Sequence, residues 1–211
     1  MTARRVSPRV AAVVLAAGTS SRMGAANKLT LEIGGEPVIA HAVDAALASR
    51  AATVVVVTGY QASRVRAALA GRDVAFAHNR YYAQGLSSSL RRGVKALDPE
   101  IEGALICLGD MPWISPRDLD ALIAAFAHAA RPICVPVRGR RRGNPVLWPA
   151  RHFAALRALQ GDLGARGLVR RHAREVVRVS VPGAGILRDV DTSADFVRPP
   201  SRPGSSPRRR A

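Results

Sequence analysis

The chain has few aromatic side chains, only two cysteines and two lysines, and no apolar run long enough to span a bilayer. Each shortage closes a route. With four Phe and two Trp there is little to stack bases on, which disfavours the nucleic-acid binders built on aromatic platforms. Cys107 and Cys134 both lie in apolar runs, "ALICL" and "PICVP", that read as buried strands. A structural disulfide is therefore disfavoured, and nothing resembles a cysteine or histidine metal cluster. A reducing cytoplasm suits that pattern. Acidic residues are short too: 15 against 32 Lys and Arg, for a formal net charge of +17. Five of the arginines fall in "RPPSRPGSSPRRRA" (198–211). The rest are scattered, which favours anionic small molecules as ligands over a nucleic-acid track.

What is present is a rhythm. The runs "AAVVLA", "ATVVVVT", "VAFAH", "ALICL" and "PICVPV" are rich in β-branched residues and suit strands buried on both faces. Between them stand "EPVIAHAVDAALAS", "QASRVRAALAG", "LSSSLRRGVKAL" and "SPRDLDALIAAFAHAA", with apolar residues at helical spacing. Ser115 followed by Pro116 is a helix start: a cap, then proline at the first helical position. This alternation predicts a three-layer α/β/α domain, Rossmann-like, with a mostly parallel central sheet. Later, "RHFAALRAL" and "LGARGLVRRHA" read as helices, and "EVVRVSV" and "GILRDVD" as late strands. The 211 residues suffice for one domain, assigned to 10–197. A basic lead (1–9) precedes it and a disordered basic tail (198–211) follows. The N-terminus imitates a signal peptide, "MTARRVSPRVAAVVLAAG". The run Val10–Leu15 is read instead as the first buried strand, because a structured loop follows it.

That loop is "AAGTSSRMGAANK". Gly18 and Gly24 permit close backbone approaches, Thr19, Ser20 and Ser21 add hydroxyls, and exposed backbone N–H groups in such loops cradle phosphate oxygens. Arg22 and Lys28 bring positive charge. The spacing is neither that of a P-loop nor that of a dinucleotide fingerprint, and a plain glycine–serine turn stays open as the alternative. Lysine's rarity adds weight, since a compact ammonium at a crowded site is poorly replaced by arginine's planar fork.

Two acids complete the picture. Asp110 follows the strand "ALICL", beside Gly109, which leaves room for a ligand to approach. Asp191 in "LRDVDTSADF" ends another short run, with Asp189 nearby. Carboxylates at strand carboxyl ends suit Mg²⁺ held on phosphate oxygens; a turn or cap aspartate is the bland alternative at each.

Taken together and in order, "LAAGTSSRMGAANKL", "GGEPVIAHAV", "GLSSSLRRG", "LGDMPWIS", "GNPVLW", "GDLGAR" and "DVDT" resemble the molybdenum cofactor cytidylyltransferases, a branch of the MobA-like NTP transferase superfamily. The resemblance runs from about Val10 to Phe196. It implies a nucleotidyltransferase fold and a Mg²⁺-dependent transfer of CMP from CTP to a molybdopterin-type cofactor, with release of pyrophosphate. Leu15, Ala16, Ala17, Gly18, Arg22 and Lys28 would hold the base and triphosphate, and Asp110 and Asp191 the metal. Gly109 and Asn79, Ser87, Ser88 and Ser89, and Gly143, Asn144 and Pro145 would line the nucleotide and pterin site. Asp162 and Arg166 would lie near the second substrate. Ala17 stands where the guanylyl branch carries a second glycine, which points to CTP over GTP. Ser193 and Trp148 depart from the family's usual proline and phenylalanine. The implied recipient is a molybdoenzyme of the xanthine dehydrogenase or CO dehydrogenase type.

The chemistry agrees with the resemblance. A phosphate nucleophile is already ionised, so positioning and charge neutralisation by Lys28, Arg22, Asp110 and the metal suffice without a strong general base. Most of the five histidines, His41, His78, His128, His152 and His172, are read as structural or solvent-facing, and "RGRRRG" (138–143) as a solvated basic turn or a holder of pterin phosphate. Rival readings are a nucleotidyltransferase for another phosphorylated acceptor or using GTP, and a non-catalytic carrier of molybdenum cofactor.

Overall fold

All seven residues of β1 (Val10–Ala16) are buried, and alternate side chains serve opposite faces of the sheet. Val10, Ala12, Val14 and Ala16 pack with Ile39, Val43, Leu119, Leu122 and Phe126. Ala11, Val13 and Leu15 pack with Leu90, Val94, Leu156 and Leu168. A strand covered on both sides needs no polar alternation, which is why the run is apolar throughout. The computed structural model describes residues 7–19, 27–128, 130–162 and 164–191. The arginine-rich tail, and all of the basic lead but Ser7, Pro8 and Arg9, lie outside these residues.

After β1 come the two-residue strands β2 (Glu32–Ile33) and β3 (Glu36–Pro37), α1 (Val38–Leu47), β4 (Thr53–Thr58), α2 (Ala62–Ala68) and β5 (Ala75–His78). The chain then forms α3 (Leu86–Lys95), β6 (Gly103–Leu108), α4 (Pro116–Phe126) and β7 (Ile133–Arg138). It ends through β8 (Arg141–Arg142), β9 (Val146–Pro149), α5 (Phe153–Arg157), α6 (Arg166–Arg171) and β10 (Val176–Ser180). The main sheet runs in the order β10-β7-β9-β6-β1-β4-β5, with β8 on β7. β1 pairs in parallel with β4 and β6, β4 with β5, and β10 with β7. Within this sheet, among the described residues, only β9 and β8 run against their neighbours. The mostly parallel α/β/α architecture is therefore as expected.

Topology locates the site. From β1 the chain builds outward through β4 and β5, then returns to place β6 on the other side of β1. Ligands of open parallel sheets collect at such a reversal, outside the strand carboxyl ends. Here those ends are Leu15 and Leu108, which lie side by side in register.

Ser115 caps α4, and Asp118 completes a reciprocal capping box. The buried Asp118 carboxylate also accepts from the Gly183 N–H at 3.1 Å, tying the cap to the late chain. The expected strand over "GILRDVD" is corrected: Gly185–Leu187 is a 3₁₀ turn, and among the described residues no strand follows it. Its backbone is spent elsewhere, with Ile186 O accepting from Asn144 N and Val190 N donating to Asp110 O. Among the described residues, no helix is long and apolar enough to cross a membrane.

Two histidines converge on one carboxylate. His152 Nε2 and His172 Nδ1 each lie 3.0 Å from a Glu175 oxygen, and Arg151 pairs with the same carboxylate. Hydrogen bonds from Arg151 first and His152 next pull the Glu175 carboxyl down from 4.5 to about 2. A depressed carboxyl contributes stability fully above its unfolded value, and that contribution is lost as pH falls through the folded one. Wild type is therefore expected to lose more of its urea-unfolding midpoint between pH 4.5 and 2 than Glu175→Gln does. Equal losses would contradict the assignment.

Candidate active site

At the carboxyl ends of β1 and β6 opens a cavity of about 580 Å³ whose walls include Leu15, Ala17, Gly18, Lys28, Ser89, Asp110, Asp162 and Asp191. Those eight residues, singled out from five separate stretches of sequence, meet in one place.

Lys28 is held from below. Asn27 caps a 3₁₀ turn over Lys28–Thr30, its Oδ1 accepting from Leu29 N at 3.1 Å, and Leu29 is buried beneath it. The lysine side chain emerges into the cavity with Nζ 2.7 Å from Asp110 Oδ2 and 3.2 Å from Asp191 Oδ1. Burial pulls the ammonium pKa down, but the charges and hydrogen bonds of Asp110 and Asp191 outweigh it, so the value lies above that of an ordinary lysine. Lys28 is a fixed positive charge, not a base.

The acids are brought together by the backbone. Val190 N donates to Asp110 O at 2.8 Å, which sets the Asp189–Asp191 segment against the end of β6. One carboxylate oxygen each from Asp110, Asp189 and Asp191 lie within 4.8 Å of one another. Burial, and then the neighbouring charges of Asp191 and Asp110, push the Asp189 carboxyl up. Hard oxygen donors so grouped fit Mg²⁺ or Mn²⁺, and the Lys28 ammonium already lies between two of them as a cation does. Asp189 is the addition to the expected metal pair. Its signal was the D-x-D spacing, since residues two apart on extended backbone share a side.

Other expected residues support the cavity without lining it. Buried Asn79 donates through Nδ2 to Ser88 Oγ at 2.9 Å and to Ser89 Oγ at 3.1 Å. Ser88 Oγ also donates to Tyr81 O and Gly85 O, and Ser87 Oγ to Gln160 O. Of the three serines only Ser89 reaches the cavity. Ala16 is buried in the core. Gly109 does not leave room for a ligand: a Cβ there would lie 2.6 Å from Ile39 Cδ1 and 3.0 Å from Leu15 O, so its smallness lets β6 close on β1. At Gly143 a Cβ would lie 2.1 Å from Ile186 O, and Asn144 N donates to that same oxygen at 2.9 Å. Gly143-Asn144-Pro145 thus braces the turn that leads to Asp189 and Asp191. Arg166 opens α6 away from the cavity, among basic neighbours. Burial first, then the charges of Arg166, Arg178 and Arg170, lower the Arg142 pKa. Arg22 lies outside the described residues.

Asp162 has two duties. It lines the cavity, and its Oδ1 accepts from Leu86 N, the first residue of α3, at 3.0 Å. The contact requires glycine at 85, where φ is +90° and a Cβ would lie 2.2 Å from Asp162 Oδ1. Gly85→Ala is expected to lower the unfolding free energy by at least about 1–3 kcal/mol from the backbone alone, and to reduce nucleotide affinity by shifting Ser89. Chemical denaturation checks it; a variant as stable as wild type contradicts it.

Comparison with known proteins agrees with this geometry. Residues 12–176 match the MobA-like NTP transferase domain. Bifunctional protein GlmU of Burkholderia thailandensis is 40% identical over 118 residues, 56% of this chain and 26% of its own length. The chain thus spans about a quarter of the length of the curated relatives it matches. A nucleotidyl transferase from Methanothermobacter thermautotroptrophicus superposes with a TM-score of 0.77 at 27% identity, covering 90% of this chain and 94% of the other. Rv0371c from Mycobacterium tuberculosis H37Rv gives 0.79 at 29% identity, covering 91% and 97%. A complex of Rv0371c with manganese gives 0.76 at 28%, covering 90% and 96%. With the fold, the lysine–aspartate cluster and the matched span in agreement, the chain belongs to the family of MobA-like NTP transferase domains and carries a nucleotidyltransferase domain.

Proposed function

We propose that the chain is a divalent-metal-dependent cytidylyltransferase that moves CMP from CTP to the terminal phosphate of a molybdopterin-type cofactor. The observation that carries this reading is Lys28 held between Asp110 and Asp191 at the mouth of a cavity at strand ends. An oxygen of the acceptor phosphate bonds to the α-phosphorus of CTP, the bond from that phosphorus to the β-phosphate oxygen breaks, and pyrophosphate leaves with the electron pair.

Asp110 and Asp191, with Asp189 beside them, would hold the metal, Mg²⁺ in this reading. When bound it supplies charge neutralisation for the phosphate oxygens. Lys28 places a permanent positive charge at the same point and keeps it through the reaction. No proton has to be removed from an ionised acceptor phosphate, in keeping with a cavity whose polar groups are acids, a lysine and hydroxyls. Gly18 and Thr19 at the end of β1 offer backbone N–H groups to the triphosphate. Ala17, as a methyl where the guanylyl branch has glycine, favours the smaller pyrimidine. The arginines Arg142, Arg166, Arg170 and Arg178 form a basic cluster outside the cavity that attracts anions over longer range. The loaded cofactor would then pass to a molybdoenzyme of the xanthine dehydrogenase or CO dehydrogenase type.

Mass spectrometry of the products formed from CTP or GTP with molybdenum cofactor and Mg²⁺ tests the reading. A CMP adduct with equimolar pyrophosphate is the expected result. Pyrophosphate from GTP alone overturns the base assignment, and release only with a sugar phosphate overturns the acceptor. Cofactor binding without release from any nucleotide makes the chain a carrier.

A further inference from the structure

The chain's second lysine, Lys95, lies in a cavity of its own. About 590 Å³ in volume, it lies on the far side of α3 and takes Arg91, Arg92 and Lys95 from that helix, Arg80 from the loop after β5 and Arg157 from the end of α5. Five cations line it and no carboxylate does. Among the described residues, none of the five forms an ion pair.

Such crowding costs stability. Arg91 and Lys95 are four apart on one helix, and like charges at that spacing repel. Three of the five side chains are nevertheless held in place, by neutral partners. Arg92 Nε donates to His78 O at 3.0 Å, Arg91 Nη1 to Leu159 O at 2.9 Å, and the Arg80 guanidinium lies 4.6 Å over the Tyr81 ring. Carbonyls and a ring fix geometry without cancelling charge. A concave, preordered set of guanidinium forks with its charge intact is built to receive an anion.

The charge count indicates which anion. One phosphate carries about −2 at neutral pH and would leave most of the five cations unneutralised; two or three linked phosphates match them. Confinement to one cavity, with a single exposed tyrosine ring, suits a small molecule better than a nucleic-acid strand, which needs an extended basic groove and several stacking rings. We propose that this cavity binds an oligophosphate, as the free inorganic ion or as the tail of a nucleotide, at a site separate from the Lys28 cavity. The two sites share α3: Ser89 faces one and Ser88 the other, and Asn79 donates to both.

Calorimetric titration of the full chain, without divalent metal and on a Lys28→Ala background that weakens the nucleotide site, tests the proposal. The titrants are inorganic triphosphate, pyrophosphate, orthophosphate, ATP and a short DNA duplex. Arg92, Lys95 and Arg157 are exposed, so Arg92→Gln/Lys95→Gln and Arg157→Gln should keep the fold and unfold no lower than wild type, because each relieves repulsion among like charges. Triphosphate is expected to bind the background protein with one-to-one stoichiometry, at least about tenfold tighter than orthophosphate, and to weaken about tenfold or more in each cavity variant. ATP binding as tightly as triphosphate assigns the site to nucleotide tails, and weaker ATP binding to the inorganic ion. Triphosphate affinity unchanged in either cavity variant, loss of all binding with Lys28→Ala, or tighter binding of the duplex overturns the proposal.

Discussion

Lys28→Ala is expected to cut kcat/KM for nucleotide transfer by about 10²- to 10³-fold, the usual loss when one preorganised donor to a developing charge is removed. The ammonium is 2.7 Å from Asp110 and 3.2 Å from Asp191 and only 15% exposed, and a water entering the emptied space would bring no positive charge. Its raised pKa keeps it charged at any pH where the enzyme would work, and the loss should therefore be the same across neutral pH. Lys28→Arg should recover little. The site offers one position flanked by two carboxylates, and a planar fork on a longer stem cannot put its charge there. The loss should fall mainly on kcat, because the charge matters most where pyrophosphate departs. Continuous pyrophosphate release measures it, with circular dichroism to show an intact fold; wild-type turnover in the alanine variant would remove Lys28 from the mechanism.

The outline of the fold was legible because its evidence is local. β1 reads as buried from seven residues in a row, and α4 announces itself by Ser115, Pro116 and Asp118. What escaped depends on contacts across long separations. "GILRDVD" looks like a strand by composition, yet its hydrogen bonds go to Asn144 and Asp110, residues no local pattern links to it. The candidate side chains were legible because Asp110 and Asp191 end short runs and Lys28 ends the glycine-rich loop that follows one. Their supports were not. Gly109 and Gly143 look like ligand-facing glycines, and only the facing atoms of Ile39, Leu15 and Ile186 reveal them as packing positions. Asn79 and Ser88 likewise read as binding groups but hydrogen-bond inward, shaping the wall that carries Ser89. Polar side chains near a site thus divide into those that touch a ligand and those that hold the first group, a division set by direction and invisible in spacing.

Asp110→Asn should be as damaging as the lysine change, about 10²- to 10³-fold in turnover, and combining the two separates a shared device from two independent ones. Asparagine keeps the shape and one acceptor oxygen but discards the charge that both Lys28 and a metal would use. Asp191→Asn should cost less, since Asp191 is 43% exposed against 21% for Asp110 and makes the longer contact with Lys28. Manganese titration followed by electron paramagnetic resonance should rank metal affinity in the same order: wild type, then Asp191→Asn, then Asp110→Asn. If Lys28 and Asp110 act as one unit, the double variant Lys28→Ala/Asp110→Asn should be little worse than the poorer single variant, because groups that work together are lost together. Independent contributions would instead multiply, to roughly 10⁴- to 10⁶-fold. The direct 2.7 Å contact argues for the first outcome: with Asp110 neutralised, the ammonium loses its nearer partner and can swing toward Asp191, so deleting it afterwards removes a group already out of place. Multiplying losses would show that the ion pair is incidental and that the lysine and the aspartate each meet the triphosphate separately.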